Sequence, residues 1–347
     1  MTARHALGAA PCPGRPLSWR TWPPLERAAG TGASAPCRSP APGADGTGRA
    51  RASGDGDPVR VGVTAFVTDR SPSPATLAKA AEERGFASLY LPEHTHLPVR
   101  ADRPPALVGG VELDGYRRSL DPLVALASAA AVTERLALGT GVVLVAQHDP
   151  IVLAKQVATL DHLSGGRAVL GVGFGWNGAE AADHGVDVRR RREVAADHVA
   201  CMRALWTMDA AEHHGPFVDL EPCWSWPKPV RPGGVPVLVG AGASPQTFDA
   251  VVAWADGWLP VGGAGLARAV PALRQTAERA GRDPGTVRVV PFGTVPTPGK
   301  LEHYRSLGCD EVVLRVPSAP RDAVLAALDE YARYVDEGGR YLGGAEA

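Results

Sequence analysis

The chain has 347 residues, and its 36 Lys and Arg residues nearly balance 37 Asp and Glu residues, which leaves a formal net charge of −1. A near-neutral chain argues against nucleic acid as the main partner. With 45% hydrophobic residues the chain can bury a large core, yet no uncharged apolar run reaches the roughly 20 residues of a membrane-spanning helix, so we expect a soluble protein.

Residues 1–58 differ in composition from the rest of the chain. They are rich in Gly, Pro, Ala, Ser and Arg and show no sustained hydrophobic period. Such a segment buries too little apolar surface to offset the entropy lost on ordering. We therefore predict a disordered extension over 1–58, a folded unit over 59–336 and a flexible tail over 337–347. The extension lacks the apolar core of a secretory signal, and the cysteines form no CxxC pair, which favours a reducing cytoplasm.

Apolar runs alternate with helical periods along the folded unit. The predicted strands are Val59–Phe66, Ala87–Leu91, Leu136–Val145, Ala168–Phe174, Val235–Val239, Gly257–Val261, Val287–Thr294 and Glu311–Val316. The predicted helices are Ser73–Arg84, Asp121–Thr133, the segment between Asp149 and Gly165, Arg189–Trp206, Ser244–Ala255, Leu266–Ala280, and Arg321 to about Tyr334. About eight strands, most of them followed by a helix, indicate an α/β fold of the (β/α)8 TIM-barrel type rather than an open doubly wound sheet.

Glycines cluster near the C-terminal ends of the two strands at the centre of this pattern. They are Gly139 and Gly141 in the first strand, and Gly171, Gly173 and Gly175 in or just after the second. A missing Cβ lets backbone approach a flat ring or a phosphate closely. It equally lets side chains fill a crowded barrel interior. The sequence leaves both interpretations open.

The concentrated polar cluster at a predicted strand end is Glu93-His94-Thr95-His96. In a barrel, active-site groups lie at such ends. A His-x-His pattern would suit a metal-dependent hydrolase, but the other strand ends carry glycine or proline instead of further ligands, so we predict no metal site. We favour His94 as a proton donor or a hydrogen-bond partner of a cofactor ring. The alternative is a histidine that caps the following loop.

A candidate anion site lies where the strand Val235–Val239 passes into the next helix. Gly240, Ala241 and Gly242 offer free backbone N–H groups there, and the helix dipole favours a phosphate. The segment is neither a nucleotide-hydrolase loop nor a full GxGxxG motif.

Three further segments are interpreted as solvent-exposed structure, and one of them also has a functional alternative. The loop Leu97–Leu120 is either a lid over the substrate or a solvated connection. We interpret Arg189–Arg192 as a solvated helix start and the pair His213-His214 as part of an exposed polar loop.

Several ordered motifs carry a resemblance to a known family. They are the segment from Leu138 to Trp176, WSWPKPV at Trp224–Val230, PVLVGAG at Pro236–Gly242 and ADGWLP at Ala255–Pro260. Over Val59 to Tyr334 the chain resembles the luciferase-like monooxygenase superfamily, particularly its coenzyme F420-dependent oxidoreductase branch. The resemblance implies a (β/α)8 barrel with an insertion that binds F420 or FMN at the C-terminal mouth of the strands.

The resemblance also implies roles for individual residues. It places a non-prolyl cis peptide at Gly141–Val142 under the cofactor ring, Glu93 and the catalytic His94 beside the ring, and Gly175-Trp176 along it. Gly240, Ala241 and Gly242 would hold the phosphate. Sugar-phosphate dehydrogenases of this branch carry an acidic residue where this chain has Trp176-Asn177, which argues against a phosphosugar substrate.

We therefore expect an F420-dependent oxidoreductase that transfers a hydride, two electrons at a time, to or from a small organic substrate. F420 is favoured over FMN by the motifs and by an Arg-, Ala-, Gly- and Pro-rich composition. The alternatives are an FMN-dependent monooxygenase, a flavin-binding barrel without turnover and, as a weaker choice, a metal hydrolase. Because related barrels often dimerise, we expect a homodimer.

Overall fold

A computed structural model describes residues 59–99, 113–336 and 338–342 of the chain. The predicted extension over 1–58 lies outside the described residues, as do 337 and 343–347 of the predicted tail. Residues 338–342 lie against the first strand: the backbone N–H of Val61 donates to Gly339 O, and that of Tyr341 donates to Val59 O, both at 2.8 Å.

The described residues form eleven strands and ten α-helices. The strands are β1 Arg60–Thr64, β2 Ser88–Leu91, β3 Ala137–Thr140, β4 Ala168–Gly173, β5 Ala211–His214, β6 Asp219–Cys223, β7 Val237–Gly240, β8 Gly257–Trp258, β9 Arg288–Val289, β10 Phe292–Thr294 and β11 Glu311–Arg315. The helices are α1 Pro74–Glu83, α2 Leu113–Arg118, α3 Pro122–Ala130, α4 Pro150–Leu163, α5 Gly178–Asp183, α6 Arg191–Thr207, α7 Pro245–Trp254, α8 Leu266–Arg279, α9 Pro298–Ser306 and α10 Arg321–Ala332. Short 3₁₀ helices span Val145–Gln147 and Pro284–Thr286.

Nine of these strands form one curled parallel sheet in the order β10-β11-β1-β2-β3-β4-β7-β8-β9. β9 and β10 are two parts of one strand, interrupted at Val290 and Pro291. β8 pairs with β9, and Val261 forms a parallel bridge with Phe292 of β10, which in turn pairs with β11. The sheet thus closes on itself with eight barrel strands, and the predicted TIM-barrel fold is confirmed.

Side-chain caps explain where several helices begin. The Asp149 carboxylate accepts from the N–H groups of Ile151 and Val152 at 2.9 Å, and Pro150 takes the first helical position of α4. α4 ends before Gly165, which has a φ of +66°. The cap and stop that the sequence predicts for this helix are confirmed.

The barrel interior is a small apolar layer, separate from the larger core between strands and helices. Its buried members are Tyr90, Val169, Leu238, Leu259, Val290, Phe292 and Val313, and Val142 packs on them. At the N-terminal end of the strands, the buried Glu311 carboxylate pairs with Arg60 Nη2 at 3.0 Å and Arg288 Nη2 at 3.3 Å. The apolar layer therefore separates a charged floor from the mouth.

An insertion between β4 and β7 contains elements that the sequence analysis did not predict. They are α5 and the antiparallel hairpin β5–β6. The interpretation of His213-His214 as an exposed loop was wrong, since both residues lie in β5; His214 is exposed, but His213 is half-buried. The Nε2 atom of His213 contacts the buried Asp197 Oδ1 at 2.8 Å.

The interpretation of Arg189–Arg192 as a solvated helix start is confirmed for Arg189, Arg190 and Arg192, which are exposed, and α6 begins at Arg191. Arg190 pairs with Glu193 at the surface, but the Arg192 guanidinium lies 4.1 Å above the centre of the Phe174 ring, and Arg191 donates to Val188 O at 2.7 Å. Arg191 is therefore half-buried, whereas Arg192 stacks on Phe174, just after β4, and stays exposed.

Neither a membrane span nor a metal cluster occurs in the described part of the chain. No helix there is long and apolar enough to cross a bilayer. No group of three or more His, Cys, Asp or Glu residues there could hold a metal ion.

Candidate active site

His94 lies just beyond the C-terminal end of β2, with its ring largely enclosed. Its Nδ1 contacts Glu180 Oε2 at 2.8 Å, and the side chains of His94 and Glu180 are 6% and 0% exposed. The ring centre of His94 lies 5.2 Å from that of Tyr116 and 5.6 Å from that of Trp176. A buried carboxylate thus holds one imidazole nitrogen and leaves Nε2 for another partner.

Glu180 is a residue that the sequence analysis missed. It lies on α5, whose first turn is capped by Asn177: the Asn177 Oδ1 atom accepts from the N–H groups of Ala179 and Glu180. An Asn cap followed three residues later by Glu is a helix-start pattern. That signal could have placed a short helix here, although not its contact with His94.

Four buried polar side-chain atoms around the mouth have no hydrogen-bond partner among the described residues. They are Gln147 Oε1, Trp176 Nε1, Asn177 Nδ2 and Glu180 Oε1. Buried polar atoms in folded proteins are nearly always hydrogen-bonded. This set contains both donors and acceptors. A bound water, or the edge of a ligand that carries both kinds of group, would supply their missing hydrogen bonds.

Gly175 lies beside Gln147, one of the residues that carry an unpartnered atom. Its φ is +72°, and the nearest atom to an added Cβ would be Gln147 Nε2 at 3.7 Å. Trp176 lies next to His94, and the role of Gly175-Trp176 in lining a planar ring stays a prediction.

Glu93 is buried and uses its carboxylate inside the protein. Its Oε2 accepts from the Leu144 N–H at 2.6 Å, and its Oε1 contacts His148 Nε2 at 2.8 Å. Its own N–H donates to Val142 O at 3.2 Å. Glu93 thus ties the end of β2 to the segment after β3, and its side chain positions this part of the mouth.

The contact with Glu93 changes the pKa of His148. Burial alone would lower the pKa of His148, but the hydrogen bond and the negative charge of Glu93 outweigh burial and raise that pKa above its ordinary value. The Glu93–His148 pair therefore gains strength when the imidazole is protonated.

The Gly141–Val142 peptide is cis, as the resemblance predicts. Val142 extends over the neighbouring strands: an added Cβ at Gly173 would lie 2.2 Å from Val142 Cγ2, and one at Gly240 would lie 2.4 Å from Val142 Cγ1. Gly141 itself faces the Phe292 ring, which would lie 2.4 Å from an added Cβ. Val142 is half-buried and forms part of the floor of the mouth.

The packing interpretation of the central glycines is therefore correct for those inside the barrel. Added Cβ atoms would also collide with the Tyr90 ring at Gly139 and with Thr140 O at Gly171. Beyond the strand ends, an added Cβ at Gly175 would make ordinary contacts at 3.7 Å or more, and one at Gly242 would meet open space.

In the loop after β7, a hydrogen bond holds Ala241, whereas Gly242 is exposed. Trp258 Nε1 donates to Ala241 O at 2.9 Å, and Ser244 caps α7 through the Thr247 N–H at 3.1 Å. Gly242 is exposed, with no atom within 4 Å of an added Cβ. The backbone there is accessible to a ligand at the start of α7.

A second histidine-rich contact fastens α5 to the loop after β2. His96 Nε2 contacts Asp183 Oδ2 at 2.9 Å, and Thr95 Oγ1 contacts His184 Nε2 at 2.7 Å. Together with the contact between His94 and Glu180, these pairs hold the insertion against the mouth.

A cavity of about 600 Å³ adjoins this side of the mouth. It lies between the 3₁₀ helix at Val145–Gln147 and the start of α6, and its lining includes Gln147, His148, His198 and Phe217. Gln147 therefore borders the cavity and also lies beside Gly175.

Comparison with known proteins places this architecture in a family. Residues 50–307 match the family model of the luciferase-like monooxygenase. An uncharacterized protein of Mycobacterium tuberculosis is 43% identical over 274 residues, which cover 78% of this chain and 96% of that protein. An F420-dependent glucose-6-phosphate dehydrogenase of Kineococcus radiotolerans is 32% identical over 239 residues, 66% of each chain.

A solved structure confirms the fold independently. The crystal structure of monooxygenase RslO1 from Streptomyces bottropensis matches with a TM-score of 0.66 at 19% identity, over 79% of this chain and 98% of that one. The family match, the relatives and the closed barrel agree with the resemblance seen in the motifs: the chain belongs to the luciferase-like monooxygenase family and is an oxidoreductase of that class.

Proposed function

We propose that this protein is a coenzyme F420-dependent oxidoreductase that carries out a two-electron hydride transfer on a small organic substrate. The observation that carries the proposal is the enclosed His94–Glu180 pair beside the unpartnered polar atoms of Gln147, Trp176 and Asn177. The named F420-dependent relative at 32% identity supports the choice of cofactor.

The residues present fit a flavin-like ring. Its pyrimidine edge alternates carbonyl acceptors with an N–H donor, and the Trp176 Nε1–H, the Asn177 amide and the Gln147 carbonyl provide complementary groups. Val142 would lie beneath the ring, and the backbone from Gly240 to Gly242 would meet the phosphate at the start of α7. When bound, the deazaflavin supplies the hydride chemistry.

The chain's own residues supply orientation and a proton. Glu180 accepts from the Nδ1–H of His94 and fixes the ring, so Nε2 is the atom that exchanges a proton with the substrate. Tyr116 and Trp176 pack against this imidazole and exclude water from it.

Equilibrium binding of F420 and FMN, measured in parallel, tests the cofactor. We expect F420 to bind at least about tenfold more tightly than FMN, a difference of about 1.4 kcal/mol. His94→Ala should keep F420 binding and lose catalysed oxidation or reduction of the bound cofactor. Submicromolar FMN affinity without F420 affinity would overturn the proposal.

An FMN-dependent monooxygenase is the second candidate, favoured by the family model that the chain matches. It would purify with, or take up, a yellow flavin and would consume oxygen when a reductase supplies electrons. We also propose a cytoplasmic homodimer, which sedimentation of the purified chain and cell fractionation would test.

A further inference from the structure

Arg315 ends β11 on the side of the strand that faces the barrel interior. Along β11, Glu311 contacts Ser88 Oγ of the floor, and Val313 belongs to the interior apolar layer. Side chains on a strand alternate between faces, so Arg315 points to the same side as Glu311 and Val313. It lies one layer above Val313, at the mouth, where its Cα is paired with that of Thr64 in β1.

The charge of Arg315 has no counterpart in the described part of the chain. Arg315 is half-buried there and makes no ion pair or side-chain hydrogen bond with another described residue. Among the residues that end the eight barrel strands, it is the only Lys or Arg. A cation held in a partly dry site without an anion is unfavourable, so the site favours an anionic ligand.

Aromatic rings connect the neighbourhood of Arg315 with His94. Phe66 follows β1, beside β11, and its ring centre lies 4.8 Å from that of Tyr116. Tyr116 in turn packs on His94 and on Trp176, with 5.7 Å between the ring centres of Tyr116 and Trp176. Burial raises the pKa of Tyr116 to about 12, and the nearby positive charge of Arg315 opposes that rise. Phe66 and Tyr116 thus form an aromatic wall that runs from the end of β1, the strand paired with β11, to His94.

We propose that Arg315 binds a carboxylate of the substrate, so that the substrate is an organic acid with an apolar body. A guanidinium matches a carboxylate through two parallel N–H···O bonds and balances its single charge. The body of such an acid would lie along the aromatic wall, with the reacting carbon near His94. This inference rests on the proposed function, because it assigns the substrate class of the same site.

Ligand-observed fluorine NMR on the full-length protein tests the assignment without turnover. The probes are 4-fluorobenzoate, its neutral analogue 4-fluorobenzamide, and inorganic phosphate as a competitor. We expect Arg315→Met to weaken 4-fluorobenzoate binding about tenfold to a hundredfold, since charged hydrogen bonds contribute about 1.5–3 kcal/mol. Arg315→Lys should retain part of the affinity, and 4-fluorobenzamide should bind both variants and the wild type alike.

Arg321→Met is the matched control, since Arg321 is an exposed arginine at the start of α10. It should leave 4-fluorobenzoate binding unchanged. Equal binding of 4-fluorobenzoate by wild type and Arg315→Met would overturn the inference, as would displacement of the probe by phosphate at equal concentration.

Cofactor binding in the same samples separates this inference from the proposed function. We expect F420 affinity to be the same in wild type and Arg315→Met. Loss of F420 affinity in Arg315→Met would overturn the inference by assigning Arg315 to the cofactor. Absence of F420 binding in the wild type, with 4-fluorobenzoate binding still dependent on Arg315, would instead overturn the proposed function alone.

Discussion

Individual residues around the mouth differ in how they are held, and this decides which substitutions are informative. His94 depends on one buried carboxylate, Glu180, whose other oxygen has no hydrogen-bond partner in the part of the chain that the structure describes. Glu93, the residue before His94 in the chain, has both oxygens occupied by protein groups. We therefore expect Glu180 to affect the chemistry of His94, and Glu93 to affect the stability of the mouth.

Glu180→Gln retains the shape and the acceptor oxygen of this side chain but removes its charge. We expect the rate at which a substrate oxidises or reduces the bound cofactor to fall about tenfold to a hundredfold, because His94 becomes a poorer proton carrier. Cofactor affinity and the thermal midpoint should change little. Asp183→Asn, at an exposed carboxylate of the same helix, is the control. Equal rates in wild type and Glu180→Gln would contradict the role.

Glu93→Gln should make stability depend on pH in a defined direction. In the folded protein the pKa of His148 lies above its ordinary value of about 6.5, so the Glu93–His148 contact stabilises fully below that pH and is lost as pH rises through the folded pKa. In Glu93→Gln, burial of His148 remains without the carboxylate. The loss in free energy of unfolding should therefore be largest near pH 6 and smaller at pH 8.

Urea unfolding of both proteins at pH 6, 7 and 8 measures this difference. Glu83→Gln removes an exposed carboxylate on α1, 4.0 Å from Lys79, and should change stability by less than about 1 kcal/mol at every pH. A destabilisation by Glu93→Gln that grows toward pH 8 would contradict the assignment.

His94 could be proposed as a site residue from the sequence, whereas its contact with Glu180 could not, and the reason is physical. His94 follows an apolar strand within a cluster of polar residues, which is a local pattern. Its partner is 86 positions away on a six-residue helix, and only the closed barrel brings the two together. Arg315 was also missed as a site residue, because its direction depends on which face of β11 lines the barrel.

At the scale of elements, glycine positions in β4 and β7 are adapted to Val142, which crosses above them. Gly240→Ala would place a Cβ 2.4 Å from Val142 Cγ1. We expect it to lower the free energy of unfolding by about 1–3 kcal/mol through overpacking. Combining it with Val142→Ala should recover part of this loss, with a coupling of about 0.5–3 kcal/mol in denaturant unfolding.

Gly242→Ala is the matched control for that cycle. Gly242 does not have a positive φ, and no atom lies within 4 Å of an added Cβ. The free energy of unfolding of Gly242→Ala should therefore stay within about 0.5 kcal/mol of wild type. Additive effects of Gly240→Ala and Val142→Ala would show that the two residues do not share this space.

Elements with strong hydrophobic patterns could be predicted from sequence, whereas the hairpin β5–β6 of the insertion could not. The apolar runs of β1, β4 and β11 and the capped start of α4 have clear local signals. β5 and β6 read AEHH and DLEPC, with few β-branched or aromatic residues. Their pairing is set by contacts such as that between His213 and the buried Asp197, and tertiary context overrides weak strand propensity.

For the whole molecule, barrel closure depends on strands that are far apart in the chain. β1 pairs with β11, and the interrupted strand β9–β10 joins β8 to β11. Eight strands could be counted from the sequence, but the break at Val290 and Pro291 and the charged floor beneath the apolar layer required the structure. In that floor, the buried Glu311 of β11 pairs with Arg60 of β1 and with Arg288 of β9, so it links the first strand of the barrel to two of its last strands.

Glu311→Ala should therefore destabilise the entire barrel rather than one edge. The change leaves Arg288, whose side chain is 25% exposed, without its carboxylate and removes the acceptor of Ser88 Oγ. Because removing one partner leaves a largely buried charge uncompensated, we expect a loss of about 3–5 kcal/mol in the free energy of unfolding. Arg60→Met, at the 44% exposed partner, should cost about 1 kcal/mol or less. Far-UV circular dichroism and tryptophan fluorescence should report one common denaturant transition for each variant, and a loss below about 1 kcal/mol for Glu311→Ala would show that the floor does not hold the barrel closed.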